Sequence, residues 1–232
     1  MEAVPAAKRN RNKITIEKVR TGASEEVERL WYSIYVEELG YQPAGVDHDA
    51  RRVHEPFAKE GSLHVATDGS GQVVGTVLSV HGASADFASY RELYGVEGSL
   101  EGVAFTTRLV VTPGHRRRRL TLDLAIATYV DAWKSGVKVA HIDVQARNVA
   151  LFERLGYKQR GFVDHPLYGS SVHMTLDLWD VEHLANVRSP LLSHAPPQPD
   201  RFRSKNSSPR PTCRRACPNF HRSSAGVRAA CA

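Results

Sequence analysis

From Lys13 to about Asp177 the apolar positions switch between a period of two and a period near 3.6, with breaks of ordinary loop length between the segments. KITIEKV (13–19) reads as a strand. Ser24, followed by Glu25 and Glu26, has the side chain and charges that favour a helix start, and Val27, Leu30, Trp31, Ile34 and Tyr35 form an apolar stripe ending near Gly40. An irregular stretch holding Asp47, Asp49 and Pro56 follows. SLHVATD (62–68) and QVVGTVLSVHG (72–82) then flank Gly69, Ser70 and Gly71, the pattern of an antiparallel hairpin.

A short helical insert at 86–94 precedes VAFTTRLVV (103–111), whose β-branched content predicts a central strand, broken by Pro113 and Gly114. A helix from about Arg117 to Ser135 places Leu122, Ile126, Tyr129 and Trp133 on one face and stops at Gly136. VKVAHIDVQ (137–145) is a strand, Asn148 to Leu155 a short helix closed by Gly156, and 157–163 and 171–178 two last strands. The expected order is β-α-β-β-β-α-β-α-β-β, an α/β (α+β) domain with one mixed sheet and helices on its faces.

Charge is spread unevenly. The net +6 of the 232 residues suggests a nucleic-acid partner, but Pro190 to Ala232 holds eight basic residues and one acid, so this segment accounts for +7 and the remainder for about −1. A near-neutral domain argues against nucleic acid. The Pro-, Ser- and Arg-rich end also holds Cys213, Cys217 and Cys231 and has no sustained apolar period, so 188–232 is expected to be a disordered basic tail, 1–12 a flexible basic N-terminus and 13–187 the folded domain. Cys213, Cys217 and His221 depart from zinc spacings, and no metal is expected. No apolar run approaches the roughly 18 residues of a membrane span. The first residues have no apolar stretch after their basic ones, so a cytoplasmic location is expected.

LVVTPGHRRRRLTLDL (109–124) carries the most chemistry. An apolar strand runs into a basic turn that opens an amphipathic helix, where unpaired backbone N–H groups and a partial positive charge favour a phosphate and nearby arginines add bidentate contacts.

With ALFERLGY (150–157), that strand, turn and helix resemble the GNAT superfamily of N-acyltransferases over roughly residues 13–178. The resemblance implies a mostly antiparallel sheet with helices on both faces, splayed between its fourth and fifth strands. It also implies a loop holding the pyrophosphate of coenzyme A, which Val111, Pro113, Arg116 and Arg117 match, although Arg119 and Thr121 replace two glycines of that pattern. The donor site so implied comprises Leu109, Val110, Val111, Arg116, Arg117, Arg118, Arg119, Leu120 and Thr121. A backbone N–H near Val110 or Val111 would polarise the thioester carbonyl.

Two groups common in that family are replaced: the acid on the fourth strand falls at Thr106 and the phenol at Phe152, and neither can move a proton near neutral pH. Glu101, Asp143 and His173 are the candidates for that work, and Tyr157 and Tyr168 those for protonating the leaving thiolate. YSIYVEELGYQPAGVDHD (32–49) with TRLVV (107–111) is further similar to acyl-homoserine-lactone synthases and bacterial N-acyl amino acid synthases. Tyr35, Glu38, Asp47, Asp49 and Arg108 carry that likeness, although the Glu expected three residues before Arg108 is Phe105. The implied acceptor site is Tyr35, Asp47, Asp49 and Arg108.

The expected activity is transfer of an acyl group from acyl-coenzyme A, or from acyl-phosphopantetheine on an acyl carrier protein, to the amine of a small acceptor such as an amino acid. No permanently bound cofactor is implied. The lost acid, phenol and glycines keep a second reading open, a GNAT-like module that binds without turnover.

Overall fold

The computed structural model describes residues 13–19, 22–82, 88–116, 119–167 and 169–197. Seven strands form one sheet: β1 (Thr15–Val19), β4 (Ser62–Thr67), β5 (Val73–His81), β6 (Val103–Val111), β7 (Val139–Val144), β9 (Gly169–Asp177) and β8 (Lys158–His165), in that spatial order. Every neighbouring pair is antiparallel except β6 and β7, which are parallel. Two short strands, β2 (Val46–Asp47) and β3 (Arg52–Val53), make a separate ladder in the stretch read from sequence as irregular.

On one face lie α1 (Glu25–Tyr32) and the side chain of Tyr94 from α2 (Ala88–Tyr94), in a core with Leu63, Leu78, Val80 and Phe105. On the other, α3 (Leu120–Lys134), α4 (Val149–Leu155) and α5 (Val181–Asn186) pack on Ala140, Ile142, Met174 and Leu176 of the sheet or on Ala66, Val74 and Val77. Ser24 caps α1 as its sequence predicts, accepting from the Val27 amide. α1 does not end in a simple turn, however. It widens into a π-helical turn over Ser33–Glu38, a distortion frequent at functional sites.

Gly156 ends α4 with φ 108°, and a Cβ there would lie 2.6 Å from Leu184 Cδ2. Only glycine meets both demands. The folded region runs past the boundary at 187 read from sequence. Ser189 and Leu191 are buried, Ser189 Oγ donates to Leu155 O at 2.7 Å, and Trp133 Nε1 donates to His194 O at 3.1 Å. The apolar signal there is two leucines inside a Pro- and Ser-rich context, too short to register as a period. The cysteines of the basic tail lie outside the described residues. Among the described residues no helix is long and apolar enough to cross a membrane.

Candidate active site

β6 carries one residue too many for its partner. Thr76 of β5 faces Val110 and Leu78 faces Thr107, so β5 advances two residues while β6 advances three. The surplus is a β-bulge containing Arg108, whose φ of 54° is left-handed, a conformation a non-glycine residue adopts only when its surroundings fix it. The fixing contacts are a buried relay: Trp31 Nε1 donates to Thr76 Oγ1 at 2.9 Å, and Thr76 Oγ1 donates to Arg108 O at 3.0 Å.

The bulge turns β6 away from β7. The two strands pair only from Val103 to Phe105 against Val139 to His141, and beyond that point they diverge. Their gap opens into a cavity of about 400 Å³, lined among others by Tyr35, Thr106, Arg108, Asp143, His165 and Phe152. A smaller apolar cavity of about 30 Å³ borders it. It shares Thr106, Leu109, Ile142 and Phe152 with the first and is closed by Ala125, Tyr129, Ala140 and Leu176.

At the mouth, α3 begins without a side-chain cap. Its first-turn amides face the basic turn. Arg116 donates from Nε to Val111 O at 2.9 Å and from its two terminal nitrogens to Glu38 at 2.5 and 2.6 Å, and this pairing lowers the Glu38 pKa. Arg119 pairs with Asp123 one turn along α3. Arg117 and Arg118 lie outside the described residues. Val111 and Thr121 line the cavity with Leu109, whereas the side chains of Val110 and Leu120 are buried in the core. Thr112 N–H bonds back to Val74 O on β5, so by strand alternation the Val111 N–H points to the gap, where β6 has no strand partner.

The residues read as an acceptor site separate into two groups. Arg108 and Tyr35 meet in the cavity wall, the guanidinium carbon 4.8 Å from the ring centroid. Arg108 also donates from Nε and Nη2 to Glu55 Oε2 at 3.0 and 2.8 Å, and both side chains of that pair are buried. Burial raises the Tyr35 pKa, a shift the guanidinium moderates. Asp47 and Asp49 are exposed on the β2–β3 turn and do not line the cavity. Asp47 Oδ1 accepts the Ala50 N–H at 2.8 Å, a turn bond that its residue type and spacing explain without a ligand.

Of the three residues considered for proton transfer, Asp143 alone lines the cavity. Glu101 is exposed on the turn before β6, at the end where the sheet is closed. His173 faces Asp143 across the β7–β9 ladder but lies behind it, its Nε2 3.0 Å from His141 Nδ1. Tyr157 lines only the inner apolar cavity, where burial raises its pKa far above that of a useful acid, and Tyr168 lies outside the described residues. Sequence reading missed two residues on the cavity side. Glu55 is hidden in an irregular stretch, its one signal being an acid set directly before Pro56. His165 lines the cavity with a neutral ring, since burial lowers its pKa, and its Nδ1 accepts the Leu167 N–H at 3.1 Å, which leaves the proton on Nε2.

A sheet opened between two parallel strands, with a basic turn and an uncapped helix at the mouth of the gap, is the arrangement that the resemblance to the GNAT acyltransferases leads one to expect. The sequence matches the family model of the N-acyl amino acid synthase FeeM over residues 26–176, most of its length, and the chain belongs to that family of N-acyltransferases. Among solved structures it is similar to BjaI, a CoA-dependent acyl-homoserine lactone synthase solved with SAM and isopentyl-CoA (TM-score 0.59, 17% identity, 77% of this chain and 91% of that one). It also resembles TofI, solved in a ternary complex with an inhibitor and MTA (TM-score 0.58, 15% identity, 77% and 98%), and the aminoglycoside acetyltransferase AAC(6')-Ib, solved with coenzyme A and kanamycin (TM-score 0.52, 17% identity, 76% and 100%). At these identities the likeness establishes the fold. No protein of the curated set matches the sequence.

Burial lowers the pKa of five histidines, His64, His81, His141, His165 and His173, with His141 pushed down to about 4. The unfolded chain therefore binds protons below about pH 6.5 that the native state refuses, so the stability these groups contribute is present above that pH and is lost as the pH falls toward 4. His141, with the deepest printed shift, is expected to contribute a large share of this loss. Thermal melts are expected to show Tm lower by about 5 °C or more at pH 5, with a smaller drop in His141→Gln.

Proposed function

We propose that the protein transfers a medium or long acyl chain from a phosphopantetheine thioester, carried by coenzyme A or by an acyl carrier protein, to the α-amine of a free amino acid. The single observation that carries this reading is the opening between β6 and β7, polar on the side of Asp143 and Arg108 and bordered inward by a small apolar cavity that shares four of its lining residues. A pantetheine arm laid in that opening sets the thioester carbonyl beside the gap-facing amides of β6, Val111 among them, and points the acyl chain at Leu109, Ala125 and Ala140.

The donor's phosphates sit at the start of α3, where backbone N–H groups and Arg116 receive them. The acceptor enters from the face bearing Tyr35, Arg108, Asp143 and His165. Its carboxylate meets the guanidinium N–H groups that Glu55 does not use. Its ammonium meets Asp143. Proton loss to the Asp143 carboxylate frees the amine lone pair, which attacks the carbonyl carbon; the C–N bond forms, the C–S bond breaks and the thiolate departs to take a proton. Amide, thiol and one released proton balance the reaction. Positioning and polarisation of the carbonyl supply most of the acceleration, and proton removal adds to it.

Incubating the purified full-length chain with acetyl, octanoyl and palmitoyl donors on coenzyme A and on acyl carrier protein, each with a panel of amino acids and polyamines, tests this by mass spectrometry. N-acyl amino acids from the longer donors support the reading. Turnover of acetyl-coenzyme A with polyamines alone rejects it. Two variants refine the assignment. Ala125→Leu fills the small inner cavity and is expected to lower turnover of palmitoyl donor at least tenfold while acetyl transfer changes less than twofold. Arg116→Ala is expected to weaken donor binding about tenfold by calorimetry, with only a small fall in Tm, because the bonds to Val111 O and Glu38 lost with it are largely exposed.

A further inference from the structure

Behind the cavity wall, Asp143 is held by two hydroxyl groups from different elements. Tyr94 Oη, at the end of α2, donates to Oδ1 at 2.6 Å, and Ser171 Oγ on β9 donates to Oδ2 at 2.9 Å. The Tyr94 ring is in turn fixed by stacking. It lies 4.6 Å from the His173 ring at 15° and 5.9 Å from Phe105 at 22°, and Tyr94 is only 8% exposed. Phe105 stands where the resemblance leads one to expect a strand-four Glu, so in this chain the position that lost its carboxylate supplies a stacking surface instead. That surface seats the tyrosine which holds the carboxylate on the next strand.

We propose that Tyr94 is a positioning residue for the acylation reaction. Its hydroxyl aims the Asp143 carboxylate into the gap and, with Ser171, sets how readily that carboxylate takes the acceptor's proton. A donated O–H favours the ionised carboxylate, so removing it makes Asp143 more basic and loosens its side chain. This inference rests on the reading of Asp143 as the proton acceptor.

The groups facing Asp143 from each packed element can be named. Tyr35 from the π-helical turn, Tyr90 from α2, His165 from β8 and His173 from β9 all couple to its charge, while Arg160 acts on His173 and on its neighbour His141. Burial lowers the pKa of the three histidines and raises that of both phenols.

Tyr94→Phe keeps the stacked ring and deletes only the donor. Expected are a fall of about tenfold in kcat, a donor KM within twofold of the unsubstituted enzyme, and an upward shift of the acid limb of kcat/KM by about half a pH unit or more. Ser171→Ala should move the limb in the same direction, and it stands in if Tyr94→Phe does not fold. Asp143→Asn is measured alongside. If Asp143→Asn is inactive and the limb stays put in Tyr94→Phe, or in Ser171→Ala where that variant stands in, the positioning role is overturned while the reading of Asp143 survives. If Asp143→Asn retains turnover, that reading fails and the inference fails with it.

Discussion

Asp143→Asn is expected to lower kcat by at least about a hundredfold with donor affinity unchanged, since positioned acid–base groups contribute about 10²- to 10⁴-fold. Asn preserves the size of the side chain but keeps one acceptor oxygen where Tyr94 and Ser171 donate to two, so one of these hydroxyls must turn to accept from the new NH2 group while the proton acceptor is lost. Steady-state kinetics with calorimetry of donor binding gives both numbers. A fall of less than threefold in kcat would mean that the amine loses its proton elsewhere, with His165 the next group on the cavity wall to examine.

Glu55→Gln carries the largest expected effect on stability. The Arg108 side chain is 10% exposed, its left-handed backbone is built into the bulge, and its charge is balanced by the buried Glu55 carboxylate. Removing one partner of such a pair leaves an uncompensated charge, which costs about 3–5 kcal/mol. Tm should drop by roughly 10 °C for a chain of this size. Turnover should fall as well, because the bulge that parts β6 from β7 loses one of its anchors. Glu55→Asp, which retains the charge on a shorter side chain, should recover part of both losses. A Tm within about 2 °C of the unsubstituted protein would show that the pair is not what holds Arg108.

The strands and helices were legible in the sequence wherever a period ran long enough. TIEKV, VVGTVLSVH and VAFTTRLVV are strands as their β-branched and alternating residues predict, and Ser24 and Gly156 punctuate helices as their types require. The strand, break and helix around the basic turn were legible for the same reason, since each is a local signal. The cavity wall was not. Asp143 and Arg108 were visible as polar residues on apolar strands, but what distinguishes Asp143 from Glu101 and His173 is how far each lies from the point where two strands part, and no local pattern encodes that distance. Asp47 and Asp49 illustrate the converse. They follow the acceptor-site pattern of similar enzymes, yet here they sit on an exposed turn, and Asp47 satisfies a turn amide. Glu55 is the partner that Arg108 found instead, across more than fifty residues of chain. The bulge itself has a sequence correlate only in retrospect, an arginine amid β-branched residues where a surplus residue must be absorbed.

The most direct test of the account is a crystal structure of the full chain with a palmityl thioether of coenzyme A, a donor analogue that cannot transfer its chain. The account predicts the sulfur in the gap between Thr106 and Ile142, phosphates at the start of α3 beside Arg116, and the alkyl chain running inward past Leu109 toward Ala125 and Ala140, with the Asp143 carboxylate facing the carbon that would carry the carbonyl. An alkyl chain lying outside the sheet, or a pantetheine arm that does not pass between β6 and β7, would contradict it.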